Sequence, residues 1–313
     1  MTWFNQHPRG GSSLVSVVTG ATSFVGLELV RQLLAAGNTV FAVVRPGSPN
    51  NCLLPTGAGL HIVELSLGDL GHLLRHVPHA EAFYHLGWEG GGAKNRALED
   101  VQFANVGYTA AAAHAAVALG CKSFLFTGSQ AECGPQSVPL DENAALRPTT
   151  PYGRAKIAAA EQSVTICNEA GISFAHGRIF SAYGPGDHPW TLVSQCVQGF
   201  LSGQDVALST CEQEWNYLYI SDTASALRAI QGRDGVYHIA HPVTRPLREF
   251  VETIHRLCGG RGRPLYAARE PGVESPYGIA PAVSKLLSTG WHPLVDFEQG
   301  ICRILEEQGS NGS

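Results

Sequence analysis

No two of the eight cysteines form a C-x-x-C pair: Cys52, Cys121, Cys133, Cys167, Cys196, Cys211, Cys258 and Cys302 lie far apart. This spacing suits neither a zinc site nor the disulfide framework of a small secreted domain, so free thiols in a reducing cytoplasm are expected. Basic charge is not in excess either. The 21 lysines and arginines are scattered among 26 acidic residues, giving a formal charge of -5 and a pI near 6.2. No face therefore advertises binding to nucleic acid or an anionic membrane. No segment reaches the roughly 20 apolar residues that span a bilayer. The stretch Met1 to Ser13 is polar and Gly-rich, not a basic end followed by an apolar run. A soluble cytoplasmic protein with a small-molecule substrate and no metal is the expectation.

What is present is a chain of 313 residues, 44% hydrophobic, enough for a large core. Leu14 to Thr19 is a short apolar, β-branched run. A Gly-containing turn follows, and then the helical apolar spacing of Leu27 to Ala36, stopped by Gly37-Asn38. Thr39 to Val44 is a second apolar run, completing a βαβ unit of about 30 residues. The rhythm continues with a strand at His61 to Glu64, a helix near Leu70 to His76 and a strand at Ala82 to Leu86. A long helix at Asp100 to Leu119, a strand at Ser123 to Thr127, a helix at Tyr152 to Ala170 and a strand at Ser173 to Ile179 follow. Alternation of this kind predicts an α/β fold, a doubly wound parallel sheet of Rossmann type. The dinucleotide-binding domain is placed at 14–183. Turn chemistry from Gly184 to Pro189 breaks the pattern, and 184–306 is assigned mainly to a smaller C-terminal substrate lobe, with some elements returning to the first sheet.

Thr19 to Gly26 occupies the turn where a pyrophosphate rests on helix N–H groups and the positive end of the helix dipole. Gly20 permits the tight turn and Gly26 close packing of helix on strand, while Thr22, Ser23, Phe24 and Val25 supply the remaining backbone. Ser23 stands where a three-glycine pattern has its middle glycine. At the end of the second strand, NAD-binding enzymes place an acid on the ribose 2′-hydroxyl; this chain has Val43-Val44-Arg45 and no acid nearby. Arg45 suits a 2′-phosphate, which favours NADP(H) and leaves NAD(H) as the alternative.

Tyr152 and Lys156 lie one helical turn apart on a single face. A phenol titrating near 10 is a poor acid or base at neutral pH, and an adjacent ammonium stabilises the phenolate. The same spacing also arises by chance from a core tyrosine and a surface lysine. Ser129, closing an apolar strand, reads equally well as a capping serine.

Taken together, TGATSFVG at 19 to 26, Asp69-Leu70, HLGW at 85 to 88, Asn105-Val106, TGSQAECG at 127 to 134, PYGRAK at 151 to 156, RIFSAYGPGD at 178 to 187, NYLYISD at 216 to 222 and GWHP at 290 to 293 have a clear likeness. Over residues 14 to 306 the chain resembles the extended short-chain dehydrogenase/reductase, or NAD-dependent epimerase/dehydratase, family. The resemblance implies that Ser129 bonds the substrate carbonyl or hydroxyl, that Tyr152 is the general acid or base, and that Lys156 holds both tyrosine and ribose. It implies that Asp69 and Leu70 border the adenine and that Leu86 and Gly87 line the cofactor. Trp88, Gln130 and Ser181 are candidates for substrate contact; Trp88 and His85 could face the pocket, although a bulky residue after a strand more often packs. Relatives commonly dimerise through helices like 100–119 and 152–170, so a homodimer is implied.

Dehydratases of the family carry an acidic pair just after the Ser/Thr position, where this chain has Gln130 and Ala131, which argues against dehydration. Glu132 comes one step later and is expected to point elsewhere. Two reactions remain: NADP(H)-dependent reduction of a ketone, which Arg45 favours, and NAD-dependent epimerisation of a sugar nucleotide through a transient 4-keto intermediate. YGPGD and NYLYISD resemble segments of enzymes acting on nucleotide-activated sugars. Asn216 stands where diphosphate-holding relatives have an arginine, and Ser181 where asparagine is common, so a non-sugar ketone is also open. A third reading, an NADP(H)-binding protein without turnover, is disfavoured because Ser129, Tyr152 and Lys156 are all present.

Overall fold

The computed structural model describes residues 13–92, 94–136, 140–270 and 278–310. Its centre is a seven-stranded sheet of β1 (Val15–Thr19), β2 (Thr39–Val44), β3 (Leu60–Glu64), β4 (Ala82–His85), β5 (Ser123–Ser129), β6 (Ser173–Ile179) and β7 (Gly235–Ile239). The spatial order is β7-β6-β5-β4-β1-β2-β3, every pairing parallel. Strand order reverses between β1 and β4, which opens a crevice at their carboxyl ends.

The central strands β1, β2 and β4 are largely apolar because both faces of the sheet are covered there. Val17, Phe83 and Phe124 point to one side, against α2 (Glu99–Ala118) and α3 (Pro151–Ala170). Their successors Val18, Tyr84 and Leu125 point to the other, where Leu29 of α1 (Phe24–Ala35) is buried with them. Alanine lines the α2 face at Ala112, Ala113 and Ala116, which lets the helix lie close to Ala159 and Ala160 of α3.

Helix boundaries follow their caps. α1 begins three residues before the apolar spacing suggests, because Ser23 accepts a hydrogen bond from the Gly26 N–H at 3.1 Å. α3 opens on Pro151 after the N-cap Thr150 and closes on Gly171 at φ 68°, the left-handed stop that glycine adopts without strain. The helix expected near Leu70 to His76 is present as a 3-10 helix, Leu67–Arg75. Gly68 and Gly71 lower helix propensity there.

Past residue 184, α4 (Leu192–Leu201) and α6 (Leu247–Leu257) share a separate apolar core with Phe297 and Ile301. Between them α5 (Ile220–Ile230) turns back onto the first sheet, burying Ala224 and Leu227 beside Leu29, and β7 extends that sheet next to β6. Among the described residues no helix is long and apolar enough to cross a membrane.

Candidate active site

The carboxyl ends of β1, β4, β5 and β6 converge, and the first turn fits a dinucleotide phosphate. Gly20 has φ +65°, and a Cβ there would lie 2.7 Å from the Gly87 nitrogen; a Cβ on Gly26 would lie 2.1 Å from the Gly20 carbonyl oxygen. Only glycines allow the loop to lie this close to β1 and β4. At the start of α1, Ser23 takes the N–H of Gly26 through its hydroxyl and that of Leu27 through its carbonyl. The first-turn N–H groups of Phe24 and Val25 have no intrahelical acceptor and are placed for an anion. Ser23, where a third glycine is common, is thus the cap that shapes the loop. Thr22 is half-buried beside it.

Arg45, directly after β2, and Asp69 are exposed at the same edge of the sheet, and Asp69 accepts a hydrogen bond from Ser66 at 2.5 Å. The side chains of Leu70 and Leu86 are turned into the core, one to each side of the sheet. Any contact that Leu70 makes with an adenine, or Leu86 with the cofactor, would therefore come through their backbone.

His85 is fully buried and does not face the crevice. Its Nδ1 lies 2.8 Å from Thr19 Oγ1, and its Nε2 3.2 Å from Thr109 Oγ1. Thr109 donates its own hydrogen to the Asn105 carbonyl, so it accepts from Nε2–H; Nδ1 then accepts from Thr19, whose oxygen in turn receives the Gly87 N–H. Burial, reinforced by the nearby Lys156 charge, lowers the pKa of His85 to about 3. A neutral imidazole with both nitrogens engaged is a structural tie between β1, β4 and α2.

Ser129 ends β5, and Tyr152 and Lys156 come from the first two turns of α3, all three buried. A Cβ on Gly153 would lie 2.3 Å from the Ala131 carbonyl oxygen, so α3 docks directly on the turn after Ser129. Ser129 Oγ accepts the Ala131 N–H at 3.2 Å, the capping role that its position at a strand end suggests. That leaves its own O–H to donate, so the cap does not exclude a hydrogen bond to a substrate. Lys156 Nζ donates to the Thr127 carbonyl at 2.9 Å and lies 3.8 Å from the Trp88 ring centroid, 4.7 Å from that of Phe126 and 5.8 Å from that of Tyr152. Burial, with a smaller contribution from Arg96 and against the pull of Glu132, lowers the Lys156 pKa to about 7. Trp88 therefore lies against the Lys156 ammonium, and its ring meets Tyr152 edge-on at 5.8 Å. Its indole N–H is taken by Gln102 at 2.8 Å.

Beneath Ser129 lies a buried charged network that the sequence reading did not identify. Glu132, wholly buried, receives the Ser129 N–H at 2.7 Å, Arg178 Nε at 2.9 Å and His176 Nε2 at 3.2 Å. Burial by itself would raise the carboxyl, but His176, Arg178 and the Ser129 N–H outweigh it and hold the group down to about 2. Arg178 continues to His238 at 3.2 Å, its register partner on β7. The available signal was His176-x-Arg178 on an otherwise apolar strand, two polar groups on one face. Gly128 makes room for the network: a Cβ would lie 2.0 Å from His176 Nε2 and 2.3 Å from Glu132 Oε1. Gly128→Ala should therefore cost roughly 1–3 kcal/mol or more in a urea titration, and an unchanged midpoint would contradict this packing.

Gln130 and Ser181 are brought together, 3.4 Å apart, at the same edge. Asn216 is occupied elsewhere, donating to the His241 carbonyl at 2.7 Å and accepting the His241 N–H at 2.8 Å.

A doubly wound sheet, a glycine turn at its reversal point, and a buried Ser, Tyr and Lys beside that turn define an NAD(P)-dependent enzyme of the short-chain dehydrogenase type. The model of the NAD-dependent epimerase/dehydratase family matches residues 16–240, and the chain belongs to that family. It is 28% identical over 309 residues to a UDP-glucose 4-epimerase of Streptomyces lividans, covering 88% of this chain and 91% of that protein. It is 26% identical over 306 residues to a dTDP-glucose 4,6-dehydratase of Streptomyces griseus, covering 91% of each. Among solved structures, MoeE5 in complex with UDP-glucuronic acid and NAD has the same fold, with a TM-score of 0.83 at 24% identity over 95% of this chain and 99% of that one.

Proposed function

We propose that the protein is a nucleotide-sugar epimerase working through a transient ketone at the sugar C4, with Tyr152 as general acid and base. One observation carries the restriction to reversible oxidation: beside Tyr152, the turn after Ser129 offers Gln130 and Ala131, and its single carboxylate, Glu132, is committed to Arg178 and His176. An elimination needs a second acid or base there. The UDP-glucose 4-epimerase and the dTDP-glucose 4,6-dehydratase named above support the sugar and the position, since both act on a nucleotide-activated glucose and their names share position 4. From the sequence alone, reduction with NADPH stood first; these relatives reverse that order.

Gly20, Phe24, Val25 and Gly26 would hold the dinucleotide phosphates, and Lys156 the ribose beside the nicotinamide. The bound dinucleotide supplies a reversible hydride acceptor. Tyr152, as phenolate, takes the proton of the sugar hydroxyl as that carbon becomes a ketone. Ser129 donates to the carbonyl oxygen and fixes it in the plane of attack. After the sugar presents its other face, Tyr152 returns the proton and the inverted alcohol is formed. Lys156, in its protonated form, stabilises that phenolate.

The test is to denature the purified protein, identify any released nucleotide, and incubate native protein with UDP-glucose and dTDP-glucose. Retained NAD and formation of the 4-epimer, with no net change in nicotinamide absorbance, support the proposal. Net consumption of NADPH on a keto sugar overturns it in favour of the second reading, which Arg45 specifically supports: a dedicated reductase using NADP(H). On that reading Arg45→Asp lowers the NADPH to NADH ratio of kcat/KM by roughly 10- to 100-fold, the equivalent of one charge-assisted hydrogen bond. An unchanged ratio makes Arg45 a solvated bystander.

A further inference from the structure

The loop before α2 places a second cation on Tyr152. The guanidinium carbon of Arg96 lies 4.4 Å from the centroid of the Tyr152 ring. Arg96 Nε donates to the Gly91 carbonyl at 2.9 Å, which fixes the side chain within its own loop. The Arg96 carbonyl accepts the Tyr152 N–H at 3.2 Å. One residue thus holds Tyr152 by both backbone and ring.

The loop is itself anchored from below. Gln102, fully buried on α2, donates to the carbonyls of Gly90 and Asn95 at 2.9 Å each while its oxygen takes the Trp88 indole. Arg96 on the ring and Trp88 at its edge are therefore set by the same buried amide, which leaves little slack in where the guanidinium rests.

We infer that Arg96 is a positioning residue for proton transfer, its guanidinium stacked on the phenol ring so as to stabilise the phenolate and fix the direction of the hydroxyl. The inference rests on the reading that Tyr152 carries the proton. A cation over an aromatic face is attracted by the ring, and more strongly once the ring bears the charge of a phenolate. Among the described residues, two cations lie against the Tyr152 ring, Arg96 from this loop and Lys156 from its own helix. Glu132, on the turn after β5, acts on Lys156 and is paired with Arg178; Glu99 at the start of α2 pairs with Arg154 on the outer side of α3 at 3.6 Å. Lys156, buried on Trp88 and Phe126, shares its charge among several rings, so a second cation has work to do.

The experiment titrates Tyr152 itself. Protein carrying tyrosine labelled with carbon-13 at Cζ is saturated with NAD and followed by NMR across pH, with the Tyr152 signal assigned by its loss in Tyr152→Phe. Arg96→Met, which keeps bulk without charge, is expected to move the Tyr152 titration upward by about one pH unit, and Arg96→Lys to restore most of the shift. Unchanged titration in Arg96→Met overturns the inference. Turnover measured in Tyr152→Phe separates the two claims, since full activity there removes the role of Tyr152 whatever Arg96 does to its titration.

Discussion

Tyr152→Phe is expected to lower turnover by about 10²- to 10⁴-fold, the range for removing a positioned acid or base, with NAD affinity nearly unchanged. The substitution deletes a single oxygen. The phenyl ring keeps its edge against Trp88 and its face against Arg96, and the backbone hydrogen bond to the Arg96 carbonyl is untouched. The phosphate turn lies on α1 and β1, a different element, so cofactor binding has no reason to fall with the hydroxyl. Isothermal titration with NAD, together with initial rates on the nucleotide sugar, measures both quantities. A variant with wild-type kcat would remove Tyr152 from the chemistry. A variant that loses NAD binding as well would mean that the hydroxyl holds the dinucleotide.

Glu132→Ala is expected to destabilise the fold by about 3–5 kcal/mol in a urea titration, because it leaves Arg178, 3% exposed, with an uncompensated buried charge. It also frees the Ser129 N–H, so activity should fall even under conditions where the variant is folded. The double variant Glu132→Leu with Arg178→Met removes both charges and is expected to recover much of the stability without the activity. A double variant as unstable as the single one would place the loss in packing, not in charge. The pH dependence has a definite sign. A glutamate in the unfolded chain titrates near 4.3, whereas folded Glu132 is held down to about 2. Its contribution is therefore fully present above the unfolded value and is lost as pH falls between the two. The difference in stability between wild type and Glu132→Ala should accordingly shrink on acidification below about pH 4. A difference that stays constant down to pH 2 would contradict the ionised assignment.

The parts of the site that were legible in the sequence share one property: they are set by neighbours within a few residues. Tyr152 and Lys156 reach one face because the helix repeats every 3.6 residues. The glycine turn is legible because close packing and a left-handed backbone restrict residue choice locally. The boundaries of α3 are written in Thr150, Pro151 and Gly171. The segment Leu67–Arg75 is legible as a helix, but short apolar spacing does not tell a 3-10 helix from an α-helix.

The groups that were missed act across long stretches of chain. Glu132 meets Arg178 from 46 residues away, and Arg178 meets His238 across a further 60. Arg96 comes to Tyr152 from a loop with no periodicity of its own. That Leu70 and Leu86 turn their side chains into the two cores is likewise set by packing between distant segments and not by residue type.

By itself, the order of apolar runs and helical spacings determined the doubly wound sheet, the location of the glycine turn and the placing of Tyr152 and Lys156 on one helix face, since each rests on backbone periodicity or steric rules within a single element. The tertiary structure alone decided the surroundings of that pair: the Trp88 face beneath Lys156, the Arg96 guanidinium on Tyr152, the neutral His85 and the sequestered Glu132. Burial and contact between distant segments fix the charge and direction of those groups, and no local pattern of residues records which distant segments will meet.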